Sequence, residues 1–316
     1  MPNQEQNWLS TESIANLLRL ADFDVGKRGW RQLLPIRLFG LGTLVNRFIA
    51  PLAIIRRLCL RNCFVARPLP QRPVSRKLAA IVVVPCRNES GNVKAAVQRL
   101  PHFCDDIEII FVEGHSRDGT LGEIHRVITA YPDRDSKALV QDGVGKGDAV
   151  RKGFEAARGD ILMILDADLT MPPEALPKFY RAIATGQCEF INRSRLVYPM
   201  AEDAMRFLNY YANQVFSWLF TWLLSQRYTD TLCGTKAVSR HHYQAIAANR
   251  AYFGDFDPFD DFVLIFGASK LNLNVVEIPV AYQSRRYGEI QISRSRHGWL
   301  LLRMVIFAFR RLKAFR

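Results

Sequence analysis

Hydrophobic and polar positions along this chain fall into two regimes that meet near residue 75. Beyond that point short β-branched runs recur: "LAAIVVVP" at 78–85, "DIEIIFVEG" at 106–114, "SKALVQ" at 136–141 and "GDILMILDAD" at 159–168. Between them lie the helix-compatible segments "NESGNVKAAVQRLPHF", "SRDGTLGEIHRVITAY" and "KGDAVRKGFEAARG". Strands alternating with helices predict right-handed crossovers and a mostly parallel twisted α/β sheet with helices on both faces. Ligands of such sheets gather at the carboxyl ends of the strands. Each run is followed there by polar residues: Arg87, Asn88 and Glu89; Glu113, Ser116 and Asp118; Asp142, Lys146 and Asp148; Asp166 and Asp168. These are expected to line one crevice.

The first regime, residues 1–75, mixes Leu, Ile and Phe with many arginines and few acids and ends in the Pro-rich link "RPLPQRP". The predicted organisation is therefore an N-terminal appendage at 1–75, an α/β domain at 76–290 and a C-terminal amphipathic helix at 291–316. In that last stretch, "HGWLLLRMVIFAFRRLKAFR", Arg303 and the closing cations interrupt the apolar run. It reads as a helix lying on an anionic membrane surface, with docking on the protein's own core as the alternative. In "MRFLNYYANQVFSWLFTWLLSQRY", Asn209, Asn213, Ser217 and Thr221 recur every fourth residue on an otherwise apolar helix. Such a stripe suits a membrane surface or a subunit contact, with a buried core helix as its rival.

Composition narrows the class. With 316 residues, 49% of them hydrophobic, the chain can bury a large core, and disorder throughout is excluded. A net charge of +13 calls for an anionic partner. The six cysteines form no CxxC pair, so reduced thiols in a cytoplasmic setting are expected. The polar start "MPNQEQNWLS" does not read as a signal peptide. His241 and His242 lack ligand spacing and read as surface residues.

The candidate chemistry centres on "DADLTMPPE". In extended geometry Asp166 and Asp168 share a face, and two like charges that close call for a cation between them. Hard oxygen ligands suit Mg or Mn on a diphosphate. The plainer alternative is a pair of solvated acids capping the next helix. "QDGVGKGDAV" lacks the spacing of a Walker A loop. It leaves a Gly-rich turn with Lys146 at a helix N-terminus, a place that accepts an anion or is simply a tight turn.

Six stretches in order, "VPCRNES", "VEGHSRDGT", "GKGDAVRKGFEAARGDILMILDADLTMPPEALPKF", "DTLCGTK", "FGDFDPFDDF" and "RRYGEIQISRSRHGWLLLRM", resemble a family 2 inverting glycosyltransferase of the dolichyl-phosphate mannosyltransferase-like branch. The resemblance covers about residues 78–305 and implies a GT-A fold, a nucleotide-sugar donor (UDP or GDP) and a divalent Mg or Mn. It also implies roles. Pro85, Arg87, Glu89 and Glu113 edge the nucleoside, Lys146 and Asp166 meet the donor, and Asp168 holds the metal. Arg286 neutralises the leaving diphosphate, Arg195 and Lys236 stand on the acceptor side, and Asp261 lies near the reacting carbon.

The chain departs from the family's pattern at several places. Glu113-Gly114 stands where relatives pair aspartates, Arg193 and Asp260 stand where a Gly is usual, and Thr170 stands where some have Gln. The stretches "LSTESIANLLRLADFDVGKRGWRQLLP" and "RRLCLRNCFVARP" are similar to the closing portion of methyltransferases fused to such enzymes. No S-adenosylmethionine loop precedes them, and no methyl transfer is expected.

The expected function is transfer of a sugar to a polyprenyl phosphate with inversion, by a protein peripheral on the cytoplasmic face of the plasma membrane. Transfer to a saccharide hydroxyl is the near alternative, and non-catalytic binding of lipid or nucleic acid the distant one. No nucleic-acid partner is expected, since no RNA-binding signature is present and a crevice of acids repels a polyanion. The oligomeric state stays open.

Overall fold

The structure is a computed structural model. It describes residues 9–35, 42, 45–46, 58–68, 77–194, 207–224, 228–230, 233–250, 261–271, 273–281, 283–285, 287–288 and 303–307. Two compact units divide at Pro73 and Val74. In the first, helix α1 (Thr11–Leu20) starts at Ser10, whose hydroxyl accepts the Ser13 N–H at 3.1 Å. Strand β1 (Phe23–Arg31) then pairs antiparallel with β2 (Arg61–Pro68).

The second unit alternates as the pattern predicts: β3 (Ala80–Cys86), α2 (Ser90–Arg99), β4 (Ile107–Glu113), α3 (Thr120–Ala130), β5 (Ser136–Val140), α4 (Lys146–Ala156) and β6 (Ile161–Ile164). A 3₁₀ turn at Pro173–Ala175 leads into α5 (Leu176–Ala184). The chain then continues through β7 (Phe190–Ser194), α6 (Phe207–Leu224), β8 (Lys236–Ser239), α7 (Arg240–Ala248), α8 (Asp261–Lys270) and β9 (Val275–Pro279).

Seven strands form one sheet in the order β5-β4-β3-β6-β8-β7-β9. β3 runs parallel to β4 and β6, β4 parallel to β5, and β7 parallel to β9, while β8 alone is antiparallel to its neighbours β6 and β7. Ile81–Val84 and Ile161–Ile164 are almost wholly buried, the continuous apolar lettering of central strands covered on both faces. Gly153 lets α4 approach that centre, because a Cβ there would lie 2.9 Å from Val83 Cγ2. The topology also creates a crevice. The chain order of the first strands reverses between β3 and β6, so their carboxyl ends diverge into connections on opposite sides, the place where open α/β sheets bind ligands.

Two sequence expectations need correction. The strand of "GDILMILDAD" stops at Ile164, so Asp166 and Asp168 do not share one extended face. The backbone turns there because Asp168 Oδ1 accepts the Thr170 N–H and hydroxyl at 3.0 and 2.9 Å while Leu169 takes a left-handed φ of 52°. The second correction concerns α6. Ser217 and Thr221 face inward, and their hydroxyls donate to the carbonyl of Tyr228, in the Thr221 case at 3.1 Å. Gln214, Val215 and Trp218 reach solvent on this helix. Ser217 and Thr221 thus fasten α6 to the loop after it.

Residues 303–307 are helical, with Met304 fully buried in the main core while Arg303 and Ile306 are exposed. The rest of the expected membrane-lying helix lies outside the described residues. Among the described residues no helix is long and apolar enough to cross a membrane. The described cysteines, Cys59, Cys86, Cys104, Cys188 and Cys233, are free thiols.

Candidate functional site

Each of the first four strands of the large sheet ends in a turn with a positive φ: Asn88 (55°) after β3, His115 (57°) after β4, Gly145 (97°) after β5 and Leu169 after β6. Non-glycine residues held there cost free energy, and such positions cluster at functional sites. Neighbouring turns hold one another. Asn88 N–H donates to Ser116 Oγ at 3.0 Å, Arg117 N–H to Asn88 Oδ1 at 2.8 Å, Glu89 N–H to Thr120 Oγ1 at 3.0 Å and Ser90 N–H to Asp118 Oδ2 at 3.2 Å.

Not every polar residue of these turns faces the crevice. Asp148 accepts the Gly143 N–H at 2.7 Å and so closes the β5 turn, and the exposed Asp142 pairs with Lys152. Glu113 is buried and accepts the Ser116 N–H at 2.5 Å. Burial pushes its carboxyl up, but Ser116 and the His115 backbone outweigh that and hold it below the usual range.

The centre of the site is the segment after β9. Gln283 N–H donates to Thr170 O at 2.9 Å, which lays the chain across the "DADLT" turn. Two residues on, Arg285 bridges both sides of the crevice, with Nη1 on Glu89 Oε1 at 3.0 Å and Nη2 on Asp168 Oδ2 at 2.8 Å. Tyr287 follows, its hydroxyl 2.9 Å from Ser90 Oγ and 3.3 Å from Asp118 Oδ2. The guanidinium on Asp168 is that of Arg285, the neighbour of the Arg286 that the resemblance implies. Arg286 lies outside the described residues.

Asp166 points to another cation. Its Oδ1 accepts from Lys146 Nζ, at the N-terminus of α4. Burial opposes its charge, but Lys146 first, with Arg193 and Lys236 behind, holds the carboxyl below the usual range. Gly234 makes this pair possible, since a Cβ there would fall 2.7 and 2.8 Å from the two Asp166 oxygens and onto Lys146 Nζ. Gly234→Ala is expected to break the pair and cost about 1–2 kcal/mol, since both side chains are partly exposed and Arg193 and Lys236 remain near Asp166; urea unfolding reads this directly.

Glu89 is the site's other unusual carboxylate. Its side chain is 8% exposed, and Oε2 accepts from Asn92 Nδ2 at 2.7 Å. Burial pushes it up to about 7, with Asp168 and Asp118 adding to the rise and Arg285 and Asn92 opposing it. Between its ordinary 4.5 and about 7 the folded state holds a proton that the unfolded chain has released, so this group's contribution to stability falls as pH rises through that window. Glu89→Gln keeps the neutral form at every pH, and the decline over that window is expected to flatten in pH-dependent urea titrations.

Of the other nominated residues, Pro85 lies on β3 beside Val112, and Arg87 is exposed in the turn that follows. Lys236 is turned inward, 1% exposed, with Nζ on Cys233 O at 2.6 Å. Asp261 begins α8, but its side chain, like Arg195 and Asp260, lies outside the described residues. The structure thus brings together Glu89, Asp168 and Arg285, and beside them Lys146 and Asp166. Ser239 caps α7, its hydroxyl accepting the His242 N–H and meeting the His242 ring at Nδ1.

Among the described residues no three His, Cys, Asp or Glu side chains form a ready-made metal cage. A divalent ion carried on a diphosphate asks less, one or two carboxylates with phosphate oxygens and water completing the shell. Asp168 meets that requirement. Its Oδ2 already faces a cationic group, so a positive charge is favoured at that point.

Comparison with known proteins identifies the family and the fold. The family model Glycosyl transferase family 2 matches residues 81–252, more than half of the chain. Glycosyltransferase AglD of Haloferax volcanii is 28% identical over 237 residues, covering 72% of this chain and 37% of that protein. Dolichol-phosphate mannosyltransferase of Saccharomyces cerevisiae is 34% identical over 108 residues, covering 32% of this chain and 40% of that protein. Undecaprenyl-phosphate 4-deoxy-4-formamido-L-arabinose transferase of Aeromonas hydrophila is 32% identical over 109 residues, 33% of each. The chain thus spans between a third and two fifths of the length of these relatives. Among solved structures, glucosyl-3-phosphoglycerate synthase from Mycobacterium tuberculosis, crystallised with Mn2+, UDP and glucosyl-3-phosphoglycerate, superimposes with a TM-score of 0.56 at 15% identity, over 76% of this chain and 81% of that one. That likeness shows a common GT-A fold. By its matched residues, its fold and its relatives, the chain belongs to glycosyl transferase family 2.

Proposed function

We propose that this chain transfers a sugar, with inversion, from a UDP or GDP donor to a polyprenyl phosphate. The observation that carries the reading is the Glu89–Arg285–Asp168 bridge across the β3/β6 crevice, a carboxylate for a diphosphate-bound cation beside an arginine for the phosphates themselves. The names of relatives that act on dolichol phosphate and undecaprenyl phosphate support the acceptor class.

In this reading Pro85 near the end of β3 and Arg87 and Glu89 in the turn after it hold the nucleoside, while Glu113 braces the β4 turn beside them. Mg or Mn, bound with the donor at Asp168, supplies electrostatic stabilisation of the departing diphosphate. Arg285 turns from the carboxylates to the phosphates as the donor enters, and its fork of N–H donors neutralises charge as the glycosidic bond lengthens. Lys146 stays on Asp166 and keeps that carboxylate ionised beside the sugar, where positive charge develops on the ring. A phosphate acceptor is already ionised near neutral pH, so its oxygen attacks without a general base. The cationic residues near the C-terminus place the protein on an anionic membrane surface, where such an acceptor resides.

The test is incubation with labelled UDP- and GDP-sugars and a polyprenyl phosphate, with and without chelator. Chelator-sensitive label in the lipid phase is expected. Label appearing only on saccharides would replace the acceptor, and no transfer from any donor would reject the activity.

A further inference from the structure

Arg193, on β7, is one of the largest fully buried side chains in the protein, 1% exposed. A guanidinium is not neutralised by deprotonation, so burying one is costly unless its donors are matched. Its Nη2 points to the junction beneath the candidate site. It donates to Thr170 O at 3.3 Å, in the turn that carries Asp168, and to Ala281 O at 3.4 Å, in the segment that carries Arg285. The same Thr170 carbonyl receives the Gln283 N–H. Val280 N–H, just before, is held by Ser194 O at 3.1 Å on the same strand as Arg193. One buried side chain therefore touches both backbone segments whose side chains, Asp168 and Arg285, meet 2.8 Å apart on the crevice side.

We propose that Arg193 is a positioning residue that sets the separation between the carboxylate that holds the metal and the arginine that meets the phosphates. The inference rests on the reading of that site as one for a metal-bound diphosphate. One nitrogen, Nη2, donates to two carbonyls from different segments at once, which an apolar side chain does not do and the shorter reach of a lysine weakens. Misplacement of a reacting group by about 1 Å costs on the order of a hundredfold in rate, so a loosened junction is expected to act on turnover more than on nucleoside binding.

The variants are Arg193→Met, which is uncharged, and Arg193→Lys, which keeps the charge and N–H donors on a shorter side chain. Each is first checked for folding by its thermal transition. Hydrogen exchange reads the tie without any substrate, and in Arg193→Met the Gln283 amide is expected to exchange at least about tenfold faster. Calorimetry with nucleoside diphosphate is expected to give an unchanged affinity without Mn2+ and a weakened one with it. The kcat falls about ten- to a hundredfold with KM for the donor within about threefold, and Arg193→Lys recovers part of kcat.

Unchanged exchange at Gln283 overturns the proposal, as does faster exchange with wild-type kcat and wild-type Mn2+ dependence of nucleotide binding. Should Arg193→Met fail to fold, the same readings on Arg193→Lys decide, with smaller shifts of the same sign supporting the proposal and none rejecting it. If the wild-type protein transfers no sugar, the proposed activity fails, and exchange and Mn2+-dependent nucleotide binding still judge Arg193.

Discussion

Asp168→Ala is expected to lower metal-dependent transfer by about a hundred- to a thousandfold, the range for removing one electrostatic stabiliser of a developing anion. The fold should survive. Asp168 is partly exposed, and Arg285 keeps Glu89 as a partner, so no buried charge is stranded. The local cost is the turn bonds to the Thr170 N–H and hydroxyl, about 1–2 kcal/mol. Asp168→Asn separates the two effects, since its amide oxygen still accepts from Thr170 while its charge is gone. Asparagine should restore the melting temperature and leave the rate low. Initial rates across a Mn2+ titration, read beside thermal unfolding of both variants, make the distinction; a rate within threefold of wild type in either variant would remove Asp168 from the role.

Arg285→Ala is expected to move two quantities in opposite directions. Without the donor, Asp168 no longer shares its charge with a guanidinium, and Mn2+ should bind about fivefold more tightly, the worth of a pair of about 1 kcal/mol at a partly exposed site. With donor and acceptor present, turnover should fall by about a hundredfold or more, because the leaving diphosphate loses its positive partner. Glu89 also loses a partner that opposes its upward shift, so it should titrate higher still. Arg285→Lys keeps the charge but reaches only one carboxylate, and intermediate behaviour is expected. Mn2+ titration calorimetry and steady-state rates on the same preparations supply both halves. A variant that loses turnover without any gain in metal affinity would show that Arg285 does not compete for Asp168.

The two-sided burial of the central sheet made its strands legible, since a continuous apolar run bounded by turn residues admits few other readings. β7 hides because the rule fails there. Asn192, Arg193 and Ser194 are buried and polar, and they bond to Asp230, Thr170 and Thr229 in distant parts of the chain. Nothing local announces such partners. The "DAD" run is legible as a candidate site, while its geometry is not, because β6 ends at Ile164 and Asp168 closes an Asx turn onto Thr170 beyond it. In "RRYGE" two adjacent arginines are equal as letters. Only the direction of the chain after Gln283 selects Arg285, and the bond from Gln283 to Thr170 sets that direction. The stripe on α6 was legible as a pattern, but its partner, the Tyr228 backbone, is supplied by the loop that follows.

The most direct measurement is anomalous diffraction at the manganese edge from crystals grown with Mn2+ and UDP or GDP. The account predicts a single strong peak within bonding distance of an Asp168 carboxylate oxygen and of the diphosphate, with the Arg285 guanidinium moved from the carboxylates to the phosphates. A nucleotide bound elsewhere, or one seated at the β3/β6 crevice with no peak beside Asp168, would contradict it.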